Sequence, residues 1–476
     1  MNAVKHYTLR CFLLCLIASS GFAQDQSSSI KNIDSVSKSF TIGTITLIGN
    51  KITKDRILFR ELTFHQGDAS DTATVEKLFK RSEENLYNTS LFNSVHITWL
   101  QENNKINVFI LVTERWYIFP LPVFEIAERN FNVWWQTKDF SRIVYGGILN
   151  WNNFRGRNEE LLLSARFGYT QRFSFYYSIP YINRQQRSGL TFGIAYSQNH
   201  QSSVNTLNNK IVYYKDDVLF SKKEYGGSVA YTYRKDLYRT HVLEAGYRHT
   251  EVLDTVISLN HDYFSPGKSK LNYSILRYFF KSDHRDIAVY PLHGYYIDFE
   301  IAKNGFSFLN DDIDLAYITA HGKKFWPLIN RFYFGTGISV KYTAGTNVPY
   351  YLSKGLGYGR DFLRGYEYYV IDGQDYVLLK SNLKFELLPK KEVHLGFIPL
   401  NKFATVPYAF YLNIYADGGY VRDHLYSLKN PLDNSWQYGY GGGIDFVTYY
   451  DMVFRFEYSI NKLGETGFFV HFTSPI

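Results

Sequence analysis

The 476 residues include 18% aromatic and 20% charged side chains, and 52 Lys+Arg against 44 Asp+Glu give a formal net charge of +8. Over so long a chain, with no basic clustering on a helix face, this surplus excludes a nucleic-acid footprint. The two cysteines, Cys11 and Cys15, lie in the N-terminal apolar run, so the rest of the chain has no disulfide, thiolate metal site or cysteine nucleophile.

Lys5 and Arg10, an apolar run over 11–18 and Gly21-Phe22-Ala23 before Gln24 read as a secretory signal peptide covering 1–23. The alternative, an N-terminal membrane anchor, needs a longer run of roughly 18 apolar residues. Leu14 stands where a lipoprotein signal would have a small residue before Cys15. Removing 1–23 takes away two basic and no acidic residues, leaving 50 − 44 = +6. Residues 24–39 are polar and serine-rich, which predicts a flexible linker.

From Phe40 the pattern predicts a strand over 42–48, a Gly49-Asn50 turn and a helix near 54–62. A Gly67-Asp68 break precedes a second helix over about 72–87, with Val75, Leu78, Phe79 and Leu86 on one face. Strands over 94–100 and 105–113 close the unit. This β-α-α-β-β order, with Gly49-Asn50 after the first strand and Leu91-Phe92-Asn93-Ser94-Val95 entering the second, resembles a POTRA domain over 40–115; a generic small α+β domain is the alternative. A POTRA sheet edge implies capture of an extended client by strand addition.

After Trp116 the helical period stops and 361 residues of alternating segments remain (476 − 115), which we count as sixteen strands. In the ninth, Tyr295, Ile297, Phe299 and Ile301 share one face and Tyr296, Asp298, Glu300 and Ala302 the other. In the fifteenth, Phe454, Phe456 and Tyr458 alternate with Arg455, Glu457 and Ser459. A charge at the lipid midplane costs about 2–4 kcal/mol, so the charged face looks into a lumen. A soluble β-sandwich would also alternate, but it would bury the apolar face against a second sheet. No uninterrupted apolar stretch of spanning length follows the signal, and a lipid-spanning chain without such helices must close its sheet. The prediction is therefore a membrane all-β fold, a 16-stranded antiparallel outer-membrane β-barrel over 116–476.

Short turns at 154–157 and 235–238 mark the periplasmic rim, and long loops at 199–221, 251–268 and 344–374 the outer one. Trp116, Trp151 and Trp326 then fall near the inner rim and Trp134, Trp135 and Trp436 near the outer, as girdle residues would. The loop carrying Phe362-Leu363-Arg364-Gly365-Tyr366 joins strands over 332–342 and 376–388 and places one arginine, which needs an anionic partner, among aromatics and glycine.

Asn150 to Gly156, Ser178-Ile179-Pro180-Tyr181, Asp283 with Arg285, Pro291 and Gly294, and Leu363-Arg364-Gly365-Tyr366 together resemble the BamA/TamA superfamily of outer-membrane insertases and two-partner secretion transporters. Five strands follow the arginine loop, as the family's sixteen-strand topology requires. The resemblance implies that this sixth loop folds back into the barrel and that its arginine meets an acid on the thirteenth strand. Tyr415-Ala416-Asp417-Gly418-Gly419 is similar to the family pattern there, at the end of a strand over 406–417. Parity agrees, because Tyr408, Phe410, Leu412 and Ile414 face lipid and Ala409, Tyr411, Asn413, Tyr415 and Asp417 the lumen. The implied latch is Arg364, Gly365, Tyr366 and Asp417, with Asn382 and Glu386 as further lumen partners; a solvated loop arginine is the alternative. A guanidinium stays ionised and presents a planar fork to a carboxylate, and Gly365 would let the backbone pass close to the wall.

The resemblance also implies a weak seam between the first strand, over about 123–129 behind Pro120 and Pro122, and the last, over 467–472. The chain runs four residues past Phe472, whereas the family's assembly signals finish on an aromatic. Implied partners are unfolded outer-membrane or secreted client polypeptides and outer-membrane lipid, with room for accessory lipoproteins, and the implied place is the bacterial outer membrane with the POTRA domain in the periplasm. A passive pore or surface scaffold of the same architecture is the other reading.

No enzyme is expected. Gly267-Lys268-Ser269 has Asp262 where a phosphate loop needs glycine, no His-Glu-x-x-His occurs, and Gly226-Gly227-Ser228-Val229-Ala230 ends on alanine where a nucleophile elbow needs glycine. The thirteen histidines are scattered, and no cofactor or metal is expected. An outer-membrane phospholipase stays open to a lipid-hydrolysis assay.

Overall fold

In the computed structural model the described residues are 40–126, 131–138, 142–264, 266–345, 348–396, 405–448 and 452–472. The signal peptide and linker expected over 1–39 lie outside them, as do 127–129 of the expected first strand.

The N-terminal domain runs β1 (Phe40–Ile48), α1 (Asp55–Glu61), β2 (Ala69–Ser70), α2 (Thr72–Asn88), β3 (Phe92–Glu102) and β4 (Lys105–Glu114). Its sheet order is β2-β1-β4-β3, with β1 and β4 parallel. The two-residue β2 was not legible, being too short for any period to show. Asp71 starts α2 by accepting from Thr74 N at 2.8 Å, and Val75, Phe79 and Leu86 are buried with Ile42, Leu58, Ile106 and Ile110.

The second part is a 16-stranded antiparallel sheet. It opens with β5 (Ile118–Ile126), β6 (Ile143–Phe154), β7 (Glu159–Gly168), β8 (Thr170–Ile179) and β9 (Ser188–Asn199). A loop hairpin, β10 (Gln201–Leu207) and β11 (Lys210–Lys215), stands outside the wall. The wall resumes with β12 (Lys222–Arg234), β13 (Arg239–Val252), β14 (Lys270–Asp283), β15 (Gly294–Asn304), β16 (Leu315–Pro327) and β17 (Phe332–Ala344). It finishes with β18 (Asp375–His394), β19 (Thr405–Arg422), β20 (Gln437–Thr448), β21 (Val453–Asn461) and β22 (Thr466–His471). Among the described residues no helix is long and apolar enough to cross a membrane.

The alternation sets the wall's two faces. On β15, Ile297 and Ile301 are exposed while Asp298 and Ala302 are buried; on β21, Phe456 and Tyr458 are exposed while Arg455 and Glu457 are fully buried. Outward aromatic and aliphatic side chains around buried charge suit a wall with lipid outside and a polar interior.

Three strand ends differ from expectation. β19 runs on to Arg422 and β18 to His394, past two register shifts, so Asp417 lies inside its strand and not at its end. β5 begins at Ile118 and contains Pro120 and Pro122, which were expected to precede it. Prolines are tolerated within an edge strand where the missing N–H points away from the ladder.

The outer loops are packed. Val204 of β10 joins Val256 and Ile257 of a short helix (Asp254–Leu259), Tyr263, Phe264 and Tyr350 in one core. Asn209 bonds the seventh loop through Asn430, Leu432 and Asp433. Burial, with Asp423 and Asp372 nearby, pushes the Asp433 carboxyl up to about 8, although the Asn209 amide acts to lower it. An acid whose folded value is raised favours the folded loops at low pH, and that contribution is lost as pH climbs from the unfolded value near 4 toward 8. Proteolytic nicking at 423–436 should therefore rise across that window and flatten above it, and Asp433→Asn should remove the slope.

Candidate functional site

The sixth loop, between β17 and β18, enters the lumen and buries Arg364 completely. Its Nε donates to Asp417 Oδ2 at 2.7 Å and its Nη2 to Asp417 Oδ1 at 2.5 Å, forming a fork on the carboxylate. Nη1 donates to Asn382 Oδ1 at 2.9 Å and Nη2 to the Ser381 carbonyl at 3.1 Å. The guanidinium lies 3.7 Å from the centre of the Tyr415 ring, a cation–π contact with little water between. Tyr366 donates to Gln437 at 3.0 Å, and Asn461 Nδ2 donates to the Gly365 carbonyl at 3.0 Å. The loop is thereby fixed to β18, β19, β20 and β21.

Glu386 stands apart from this set and accepts from the Tyr411 hydroxyl at 3.4 Å. It shares lumen parity with Asn382 but lies further along β18, out of reach of the guanidinium. Gly365 also works differently from expectation. Its φ of +87° is the requirement, while the close approach to the wall occurs at Gly439, where a Cβ would meet Arg364 O at 2.0 Å. Gly439→Ala should therefore loosen the loop with every charge intact. Earlier protease cleavage within 353–374 than in wild type would be the sign.

A wider lumen network surrounds the pair. Glu457 approaches Arg364 at 3.5 Å and pairs with Arg455, which also binds Asp445 at 3.1 Å. Lys384 sits 3.9 Å from the centre of the Tyr290 ring, and Tyr290 donates to Asp445 at 2.6 Å. Tyr290 belongs to the turn between β14 and β15, so that inner turn also projects into the lumen. The alternating charges of β21 hinted at inward-facing residues, but pairs contributed by separate strands leave no local pattern in the sequence. Among the described residues, no group of three or more His, Cys, Asp or Glu side chains is arranged to hold a metal ion.

The small domain is docked on the turns of one rim. Arg234 grips both oxygens of Glu61 at 2.7 and 2.8 Å, and Arg60 donates to Gln186 O at 2.7 Å. Asn153 Nδ2 donates to Thr53 Oγ1 at 2.9 Å, and Lys54 N to Gly156 O at 2.9 Å. Arg81 reaches Tyr238 and Arg285 O, while Asn88 donates to Asp286 O at 2.9 Å and accepts from Ala288 N at 3.1 Å. The sequence motifs at 150–156, 178–181 and 283–294 are largely this docking surface. Within the domain β3 is an outer strand of the sheet, and Glu83 of α2 accepts from Ile97 N at 2.6 Å there.

The seam is formed by β5 and β22, the end strands of the sheet, and no ladder joins them among the described residues. A short helix, α3 (Phe131–Thr137), lies against β22 and carries Trp134 and Trp135. Those two tryptophans therefore stand on the loop between β5 and β6, beside the seam.

A sixteen-stranded wall with a lumen-latched sixth loop and an α+β domain on its turns defines an outer-membrane barrel of the POTRA-bearing class. A family model of the Omp85 superfamily domain matches residues 153–462, and a POTRA model, described as the surface antigen variable number repeat, matches 40–115. The chain belongs to the Omp85 superfamily, whose POTRA-bearing β-barrels are outer-membrane proteins. The structure is similar to BamA from Haemophilus ducreyi lacking POTRA domains 1-3, with TM-score 0.51 and 16% identity over 91% of this chain and 83% of that one. It is similar also to CdiB from Escherichia coli, with TM-score 0.52 and 12% identity over 91% of this chain and 75% of that one. A search of curated proteins returns no match.

Proposed function

We propose that the protein inserts polypeptides into the outer membrane or moves them across it, with the POTRA domain in the periplasm and the barrel in the lipid. The observation that carries this is the seam, where β5 and β22 end the sheet with no ladder between them among the described residues. An unpaired edge in a membrane wall has main-chain donors and acceptors to offer an extended chain. Membership in a superfamily that includes the BamA and CdiB proteins, which mediate outer-membrane protein insertion or secretion, supports the same reading. The arrangement fits a passive pore less well, because Arg364 and Tyr290 bring loop and turn into the lumen from opposite rims. Arg364, Gly365, Tyr366 and Asp417 act in this reading as a latch and touch no client, and no enzymatic step is assigned. Photo-crosslinking in living cells from β3 and from both seam strands tests it. Unfolded outer-membrane or secreted chains should be recovered, and recovery of none at all three sites would return the protein to the pore or scaffold reading.

A further inference from the structure

The hairpin of the third outer loop has one face packed and the other open. On β10 and β11, Val204, Val212 and Tyr214 turn into the loop core, while Ser203 and Tyr213, paired across the hairpin, turn the other way. That other face closes one side of a cavity of about 310 Å³, to which the second loop brings Tyr169 and the sixth loop Tyr351 and Tyr358. The cavity lies at the outer rim, where β8 begins at Thr170 and β9 ends at Asn199. Its size is at the lower end for small-molecule sites. Tyrosine dominates the lining, and each ring offers an apolar face and a hydroxyl at the cost of few rotatable bonds.

The charged groups among these rings differ in how they are answered. Asp372 accepts from the Tyr358 hydroxyl at 2.6 Å and from Thr206 at 2.5 Å, and Thr206 is bonded to Tyr350 at 2.9 Å. Each oxygen of that carboxylate keeps a lone pair for a further donor. Lys222 pairs with Glu224 at 3.0 Å, and Glu224 also accepts from Tyr351. Lys354 has no such partner. Its Nζ lies 5.5 and 5.4 Å from the centres of the Tyr351 and Tyr358 rings, the side chain is exposed, and among the described residues no carboxylate comes within ion-pair distance of it. Lys341 Nζ donates to the Lys354 carbonyl at 2.7 Å, which adds a second ammonium close by.

We propose that this cavity binds an acidic saccharide, a pyranose ring carrying a carboxylate or phosphate. The C–H face of the sugar lies on the tyrosine rings, its hydroxyls donate to Asp372, and its anion meets Lys354. An apolar ligand would bury Asp372 and Lys354 without answering either, and a neutral sugar would leave the ammonium unmatched. The site faces the cell surface and goes beyond the handling of clients, on which it does not depend. A bound sugar would join the second, third and sixth loops.

Titration calorimetry on the full-length protein in phosphatidylcholine nanodiscs tests this, with D-galacturonate and D-galactose as matched probes. At low salt galacturonate should bind about tenfold tighter than galactose, the scale of one hydrogen bond to a charged group. Lys354→Gln should erase that preference and leave galactose binding unchanged. Tyr213→Ala, on the hairpin outside the wall, should weaken both sugars about tenfold and guards against misfolding of the first variant. Equal affinity for the two sugars, binding of neither, or wild-type galacturonate affinity in both variants would overturn the proposal. Competition by core oligosaccharide released from lipopolysaccharide would identify the membrane's own glycan as the source of the ligand, and its failure beside bound galacturonate a free sugar acid.

Discussion

Replacing Arg364 by alanine should lower barrel stability by on the order of 3–5 kcal/mol, because it removes the guanidinium fork from the buried Asp417 carboxylate and leaves Glu457 to Arg455 and His471. The measurement is heat-modifiability, the temperature at which the folded, fast-migrating form is lost on a detergent gel. Arg364→Lys should recover little, since an ammonium cannot reach the two Asp417 oxygens, Asn382 Oδ1 and the Ser381 carbonyl together. Exchanging the two charges should also fail, because Asn382, Ser381 and Tyr415 stay where they receive a guanidinium from the loop and not from the wall. Combined with Gly439→Ala the loss should be less than additive, as both changes release the same loop. Wild-type heat-modifiability in Arg364→Ala would remove the latch from the account.

Glu61→Ala should have the second large effect, on docking and not on the barrel. It removes a buried carboxylate that two arginines hold and leaves Arg234 only the Tyr181 hydroxyl and the Leu237 carbonyl. The loss should be about 3 kcal/mol in the affinity of the domain for its rim. It would be read as a fall in disulfide yield between Asn88→Cys and Ala288→Cys with heat-modifiability unchanged. Gly156→Ala should reproduce it without touching charge, since φ there is +71° and a Cβ would meet Ile52 O at 2.1 Å. An unchanged crosslink in both variants would mean that the remaining turns hold the domain unaided.

Much of this was legible in the chain. Alternation on β15, β19 and β21 gave the wall and its two faces, because a membrane barrel forbids charge outside and so writes its geometry into parity. Parity and strand counting also put Arg364 and Asp417 at the same wall, where the structure joins them. Illegible were contacts set by the depth of a side chain in the lumen, which parity does not encode. That is why Glu386 was expected near Arg364 and why Glu457 and Tyr290 were not. Gly439 escaped notice because a glycine in a strand does not announce what passes in front of it. Helix α3 was hidden for another reason, since seven residues ending in Trp134-Trp135-Gln136-Thr137 show no period to read.

The turn between β14 and β15 is held from two directions, by Asn88 of the docked domain at Asp286 and Ala288 and by Asp445 of the wall at Tyr290. One short segment thus belongs to two equilibria, the tilt of the domain on its rim and the charge balance of the lumen. Thermodynamic linkage makes such sharing reciprocal. A coupling free energy between the two contacts acts equally in both directions, so what Asn88 imposes on the Tyr290 contact Tyr290 imposes on the Asn88 contact. The docked domain and the lumen network thus share a single turn, with Ala288 on one side of it and Tyr290 on the other.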